Sequence, residues 1–287
     1  MEWVNYNIWI GFDHIVIFNN DDDPAPLSKI LARYVEKDYV TIIHWKSVGD
    51  QRNAYKHGLR RFGKYAASVT FLDGDEFIVL CEHHTVYDAY RYLGLYESPN
   101  ACLDFMWLPF SASGHDTEPP ENVSVTEYLT RRSSIPFTDF PGKVALKGLR
   151  NFHRTKIIGK PLKEPLWHSC GNRRDFVSKL VDVNVVRINH YQFRYGRKSL
   201  ERRVQRGYAK DFKDQRLYAD MNINELPSIR NETEDFTMAK IRSEFPQLLE
   251  NISSSKRKEV PSECMKVFGT VTWTPLVTAT MKATSKP

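Results

Sequence analysis

The sequence predicts an α/β protein in which an open, mostly parallel sheet is flanked by helices. Three observations carry that prediction. Continuous apolar runs rich in β-branched residues recur at residues 14–18, 39–43 and 68–72, as strands buried on both faces require. Stretches with helical spacing of apolar residues separate them, and strand–helix alternation implies parallel neighbours joined by right-handed crossovers. Turn-forming clusters of Gly, Pro, Asn and Asp punctuate the runs.

Taken in order, residues 3–10 favour a short helix through Trp3, Val4, Ile8 and Ile10, ended by Gly11. Residues 14–18 form the first strand, 19–26 a polar loop, 27–35 a helix and 39–43 a second strand. A helix over 50–62 carries Gln51, Arg52, Tyr55 and His57. The strand at 68–72 follows, then a helix over 85–93 and an apolar strand over 101–108. Residues 109–122 make a long polar loop containing Gly114, His115 and Asp116, a length that inside a compact domain is commonly functional. The basic stretch 143–158 reads as two short strands, 183–190 as a last strand and 199–212 as a very basic helix. Beyond 217 the chain turns polar, with one amphipathic helix over 236–249. The predicted organisation is therefore one α/β domain over residues 1–215 and a loosely packed, partly disordered tail over 216–287.

A chain of 287 residues that is 41% hydrophobic can bury a sizeable core. Lys and Arg number 41 against 35 acidic residues, and the resulting +6 charge favours anionic ligands without demanding nucleic acid. Cys81, Cys102, Cys170 and Cys264 form no Cys-x-x-Cys pair, so the sequence indicates neither a zinc site nor a disulfide scaffold, and reduced thiols are expected. No run reaches the ~18 apolar residues of a membrane span. The start of the chain lacks the layout of a signal peptide. The chain as given reads as cytoplasmic, with Golgi or membrane association following if an N-terminal segment is missing.

The chemistry concentrates in the stretch Leu72-Asp73-Gly74-Asp75-Glu76-Phe77. Residues i and i+2 of an extended segment point to one side, so Asp73 and Asp75 at a strand end can share a divalent cation. Mg²⁺ or Mn²⁺ held by one or two carboxylates keeps coordination positions for substrate phosphates. A solvated Asp-Gly turn would use the same residues. Open α/β sheets bind ligands outside the carboxyl ends of their strands, where Asn19, Asn20 and the acidic 21–23 segment also fall; these side chains suit ribose hydroxyls or a base, or form a simple Asx-rich turn. Gln51 and Arg52 stand near enough to contact a base or phosphate.

Trp107 and Phe110 followed by Gly114, His115 and Asp116 place aromatic surface beside titratable groups, as expected where a sugar is gripped and deprotonated. Core packing is the competing reading for the two aromatics. His168 and His190 lie near predicted strand ends, and an imidazole at 190 would complete a metal shell. The basic run from Arg194 to Lys213 fits an amphipathic helix with a solvated basic face beside the phosphate site better than a nucleic-acid backbone contact.

In this order, Glu2-Trp3-Val4, Gly11 to Asn20, Leu72 to Phe77, Trp107-x-x-Phe110 with Gly114-His115, and Asn189-His190-Tyr191 with Lys198-Ser199 resemble glycosyltransferases of family 92 and the related family-2-like type. The resemblance implies a GT-A fold, a hexosyl- or pentosyltransferase, a nucleotide-sugar donor, a glycan, glycoprotein or other hydroxyl acceptor, and Mn²⁺ or Mg²⁺ on the Asp-x-Asp motif. Carried over by position, it makes Asp75 the principal metal ligand, Asp73 a ribose or metal contact and His190 the third protein ligand. Asn19, Asn20, Gln51 and Arg52 then line the donor pocket. Trp107, Phe110, Gly114 and His168 border the acceptor, and Asp116 is the candidate base with His115 as runner-up, in an inverting transfer. The sequence departs from the pattern at its start, where the helix at Trp3 lacks the strand that normally precedes it. A non-catalytic binder of nucleotide or carbohydrate with an incomplete donor site is the alternative, and nucleic acid is not an expected partner.

Overall fold

The computed structural model describes residues 1–46, 50–82, 84–97, 101–132, 144–148, 177–205 and 233–243. Helix α1 (Glu2–Trp9) leads into β1 (Ile15–Asn19), α2 (Ala25–Glu36), β2 (Val40–His44) and α3 (Gln51–Phe62), so this opening alternation follows the apolar periods of the sequence. Strands β1 and β2 pair in parallel, Ile15 opposite Val40 through Asn19 opposite His44. Val4, Ile15, Leu31, Tyr34 and Val40 close a small core beneath them. Among the described residues β1 has a strand partner on one side only.

Next come β3 (Ser68–Thr70), β4 (Glu76–Leu80) and α4 (Val86–Tyr92), whose N-cap Thr85 accepts from the Asp88 amide at 3.1 Å. After these lie β5 (Ala101–Phe105), β6 (Trp107–Pro109), the single turn α5 (Val125–Tyr128) and β7 (Arg131–Arg132). The rest comprises β8 (Val144–Gly148), β9 (Val177–Leu180), β10 (Val186–His190), α6 (Lys198–Gln205), β11 (Thr233–Glu234) and α7 (Thr237–Ser243).

The expected mostly parallel sheet is corrected here. The described residues instead form small parallel and mixed sheets: β1–β2, β4–β10–β6, β11–β7 and β3–β8–β5–β9. Strand β10 runs antiparallel to β4 and parallel to β6, and β8 runs antiparallel to both β3 and β5. Parallel neighbours need long crossovers, whereas several of these returns are made by loops, which permits antiparallel pairing. The main core lies under the β4–β10–β6 sheet, with Tyr6, Ile78, Tyr90, Phe105, Phe110 and Tyr191 each at most 1% exposed. Burial of side chains this large contributes about 1.5–3 kcal/mol apiece, so this layer is the rigid platform of the molecule.

Three local expectations change. The apolar run over 101–108 divides into β5 and β6 at Met106, and β4, β7, β9, β11 and α5 are additional elements. The stretch after 217 is not loose throughout. Met238 is 1% exposed, and Asp235 receives hydrogen bonds from Arg132 Nε at 2.6 Å and Arg187 Nη2 at 2.9 Å, which staples residues 233–243 to β7 and β10. The second strand expected within 143–158, the end of the basic helix past 205 and the end of the last helix past 243 lie outside the described residues.

The expectation of reduced thiols is corrected at Cys102, which is disulfide-bonded, while Cys81 is free and exposed. Alkylation of the native protein followed by peptide mapping should label Cys81 and spare Cys102 until a reductant is added; labelling of Cys102 without reductant would refute the bond. Among the described residues no helix is long and apolar enough to cross a membrane.

Candidate active site

The link between β3 and β4 holds the acidic residues in a closed turn. Glu76 is fully buried, and its Oε2 accepts from the Asp73 amide at 2.8 Å while its own amide donates to the Asp73 carbonyl at 3.0 Å. The indole of Trp3 donates to the Glu76 carbonyl at 2.8 Å, fastening α1 to the same point. This reciprocal clamp sets the spacing of Asp73 and Asp75. The Asp73 carboxylate accepts from Gln51 Nε2 and, at 3.0 Å, from the Tyr55 hydroxyl, both on α3. Burial pushes the Asp73 pKa up and the neighbouring Asp75 charge adds to the rise, against which His190, Tyr55 and Gln51 pull it down. Burial likewise pushes the Tyr55 hydroxyl well up, with the charges of Asp73 and Glu76 adding to it, so Tyr55 stays a donor.

Strand β10 delivers His190 opposite Glu76, and its Nε2 lies 3.8 Å from Asp75 Oδ1. The Trp107 ring packs against the imidazole with centroids 4.5 Å apart. Two donors on one small divalent cation, each at about 2.0–2.2 Å, are at most roughly 4.4 Å apart, so the Asp75–His190 spacing fits a shared ion. Two carboxylates whose repulsion raises a pKa form the donor set that such an ion relieves. Asp73, Asp75 and His190 are thus brought together around one turn. Among the described residues, however, no group of three or more His, Cys, Asp or Glu side chains is arranged as a ready metal site, in keeping with the engagement of Asp73 by α3.

The turn after β10 ties this corner to the long loop. Tyr191 N donates to the Asp75 carbonyl at 2.8 Å, Arg194 Nη1 donates to the Gly74 carbonyl, and Arg197 N donates to the Asp116 carbonyl at 2.9 Å. Gly196 sits at φ +53°, and a Cβ there would collide with the Asp116 and Thr117 backbone, so only glycine permits the approach. His115 stacks on Tyr128 at 3.8 Å, Asp116 is exposed, and Gly114 turns the loop at φ +87°. No contact joins His115 or Asp116 directly to the Asp75 and His190 side chains among those described.

At the ends of β1 and β2, Asn19 is 4% exposed, its Oδ1 accepts from the Asp21 amide at 3.1 Å, and its Nδ2 is buried without a partner among the described residues. Trp45 lies beside it, donating its amide to the Asn19 carbonyl at 2.7 Å and packing edge-on to Phe18. Asn20 is exposed, and Arg52 stands in the first turn of α3. Phe110 is a correction. It is fully buried with its ring 4.4 Å from Tyr191, so it belongs to the core and offers no surface to an acceptor, whereas Trp107 is only half-buried. His168 lies outside the described residues.

Sequence reasoning left out of the site Tyr55, Glu76, Trp45 and Arg194. The last appears in the sequence only as one cation of a basic run, and its contact with Gly74 spans 120 residues. Comparison with known proteins now adds to the geometry. The pattern of glycosyltransferase family 92 matches residues 1–264, and no curated protein matches the chain. An acidic turn backed by a histidine and an arginine, inside a match that runs through all these elements, makes the chain a member of glycosyltransferase family 92, transferases that move a sugar from a donor to an acceptor.

Proposed function

We propose that this chain is a metal-dependent glycosyltransferase of GT-A type, moving a sugar from a nucleotide-sugar to a hydroxyl acceptor with inversion. The observation that carries the reading is the Asp75–His190 pair at 3.8 Å, set on a turn that Glu76 closes and Arg194 reaches. Asp75 and His190 would hold Mn²⁺ or Mg²⁺, with Asp73 beside them. A bound divalent cation supplies positive charge that stabilises the departing diphosphate.

The chain's own groups do the rest. Arg194 adds a fixed cation on the same turn, and Gln51 and Tyr55 hold Asp73 in place for a ribose or for the ion. Asp116, with His115 as the second candidate, takes the proton of the acceptor hydroxyl. The acceptor oxygen bonds to the anomeric carbon as the carbon–oxygen bond to phosphate breaks, its electron pair leaving on the diphosphate. Trp107 offers an aromatic surface to the acceptor. The disulfide at Cys102 favours an oxidising compartment over the cytosol.

A thermal-shift panel of nucleotide-sugars with and without Mn²⁺ tests this reading, because a ligand that binds only the folded state raises its melting point. The expected result is a shift of several degrees for at least one nucleotide-sugar, dependent on the cation and followed by release of nucleoside diphosphate. The single-sided pairing of β1, next to the donor-side Asn19, favours one competing reading, a binder with an incomplete donor site. Binding without release of nucleoside diphosphate under acceptor excess would select that reading instead.

A further inference from the structure

Strands β1 and β3 border one cleft of about 550 Å³, lined by Val16 and Phe18 of β1, Val40 and Ile42 of β2, Val69 of β3 and Phe62 of α3. Each strand has a partner on one side only among the described residues: β1 pairs with β2, and β3 pairs with β8. The bonding of β1 settles which of its groups face the cleft. Ile15 N donates to the Tyr39 carbonyl at 2.9 Å, and the Asn19 carbonyl accepts from Trp45 N at 2.7 Å, so the odd-numbered residues serve β2. A parallel ladder uses alternate residues for each neighbour, which turns the N–H and C=O groups of Val16 and Phe18 to the other side. Strand β3 presents a second such edge across the apolar space.

Open edges of this kind are templates for strand addition, and proteins cover them. A lipid chain or an apolar small molecule would fill the volume and leave both edges unbonded, at about 1–3 kcal/mol for each buried group. An extended polypeptide offers donors and acceptors along both sides, with side chains projecting above and below. The apolar lining requires those side chains to be uncharged and β-branched or aliphatic at the centre of the segment.

We propose that the cleft between β1 and β3 is a strand-acceptor site that takes one extended apolar segment of a second polypeptide as an added strand. The inference stands on the pairing pattern and does not depend on the glycosyl-transfer chemistry.

The probe is an acetylated and amidated peptide of about seven residues alternating valine and threonine, titrated into the 287-residue chain. Its control is the same peptide N-methylated at alternate backbone positions, which keeps the side chains and removes the edge donors. Saturable binding is expected, with amide exchange at Val16 and Phe18 slowed about tenfold or more and the methylated peptide binding at least about tenfold more weakly. Equal binding of the methylated peptide, or displacement of the probe by dodecanoate at equal concentration, would show an apolar-ligand pocket and overturn the proposal. So would exchange at Val16 and Phe18 as slow as at Ile17 in the dilute, peptide-free chain, since the edge would then be covered already. Protection that rises with protein concentration alone would assign the edge to a second copy of this chain and would equally overturn it.

Discussion

Asp75→Ala is expected to lower sugar transfer by about three orders of magnitude or more while leaving the fold intact. The size follows from the several kcal/mol of charge stabilisation that a bound cation supplies, each 1.36 kcal/mol being worth about tenfold in rate. The fold should persist because the Asp75 side chain is 22% exposed and spans no packed layer; its main-chain carbonyl, which accepts from Tyr191, survives the substitution. Asp73→Asn supplies a second readout. Its Oδ1 can still accept from Gln51 and Tyr55, but the charge that burial and Asp75 penalise is gone.

The sign can be worked out. A carboxyl whose folded pKa is raised binds protons in the folded state that the unfolded state has already released, so stability falls as pH rises from the ordinary value of 3.8 upward. Asp73→Asn should therefore melt higher than the parent chain at neutral pH without cation, and should gain less from Mn²⁺. Full turnover by Asp75→Ala in excess chelator would remove the metal from the mechanism. An unchanged response to Mn²⁺ in Asp73→Asn would remove Asp73 from the site.

The second large effect is on stability. Asp235→Ala leaves the guanidinium groups of Arg132 and Arg187, whose side chains are 16% and 14% exposed, without the carboxylate both bind. Breaking a buried pair from one side costs about 3–5 kcal/mol, because the charge left behind stays desolvated. For a chain of this size that corresponds to a melting point lower by roughly 10 °C. Burial pushes the Asp235 pKa up, but hydrogen bonds from Thr237 and Arg132 and the Arg187 charge outweigh it, and the net shift is downward. Its contribution is therefore present above the ordinary value of 3.8 and lost as pH falls through the lower folded value. Urea denaturation at pH 7 and at pH 3 measures both. A loss below about 1 kcal/mol at pH 7 would mean that residues 233–243 do not hold β10 in place.

What the sequence showed and what it hid divide along physical lines. Elements built on a local period, from α1 through α3 and again at α4, fall where apolar spacing puts them. Strand β4 escaped because its apolar run, Phe77 to Leu80, is short and follows directly on the turn residues Asp73 to Glu76, so no period develops. The mixed pairing was hidden for a different reason: direction is set by the loop that returns a strand, and β10 meets β4 across more than a hundred residues. In the site, Asp73, Asp75 and His190 were visible because their order matches a family. Glu76, Tyr55 and Arg194 were not, since a buried carboxylate clamp and two long-range hydrogen bonds leave no trace in spacing. Phe110 shows the converse, an aromatic that reads equally well as ligand surface or as core until its burial is known.

The turn from Tyr191 to Arg197 bonds by its main chain or side chains to Asp75, to Gly74 and to Asp116, with Gly196 wedged against the last of these. A lever with two such fixed points cannot be displaced at one end alone. Loading the acidic corner would reposition the loop that receives the second substrate, and steady-state kinetics of the compulsory-order kind, donor first and acceptor second, are the natural outcome of that linkage.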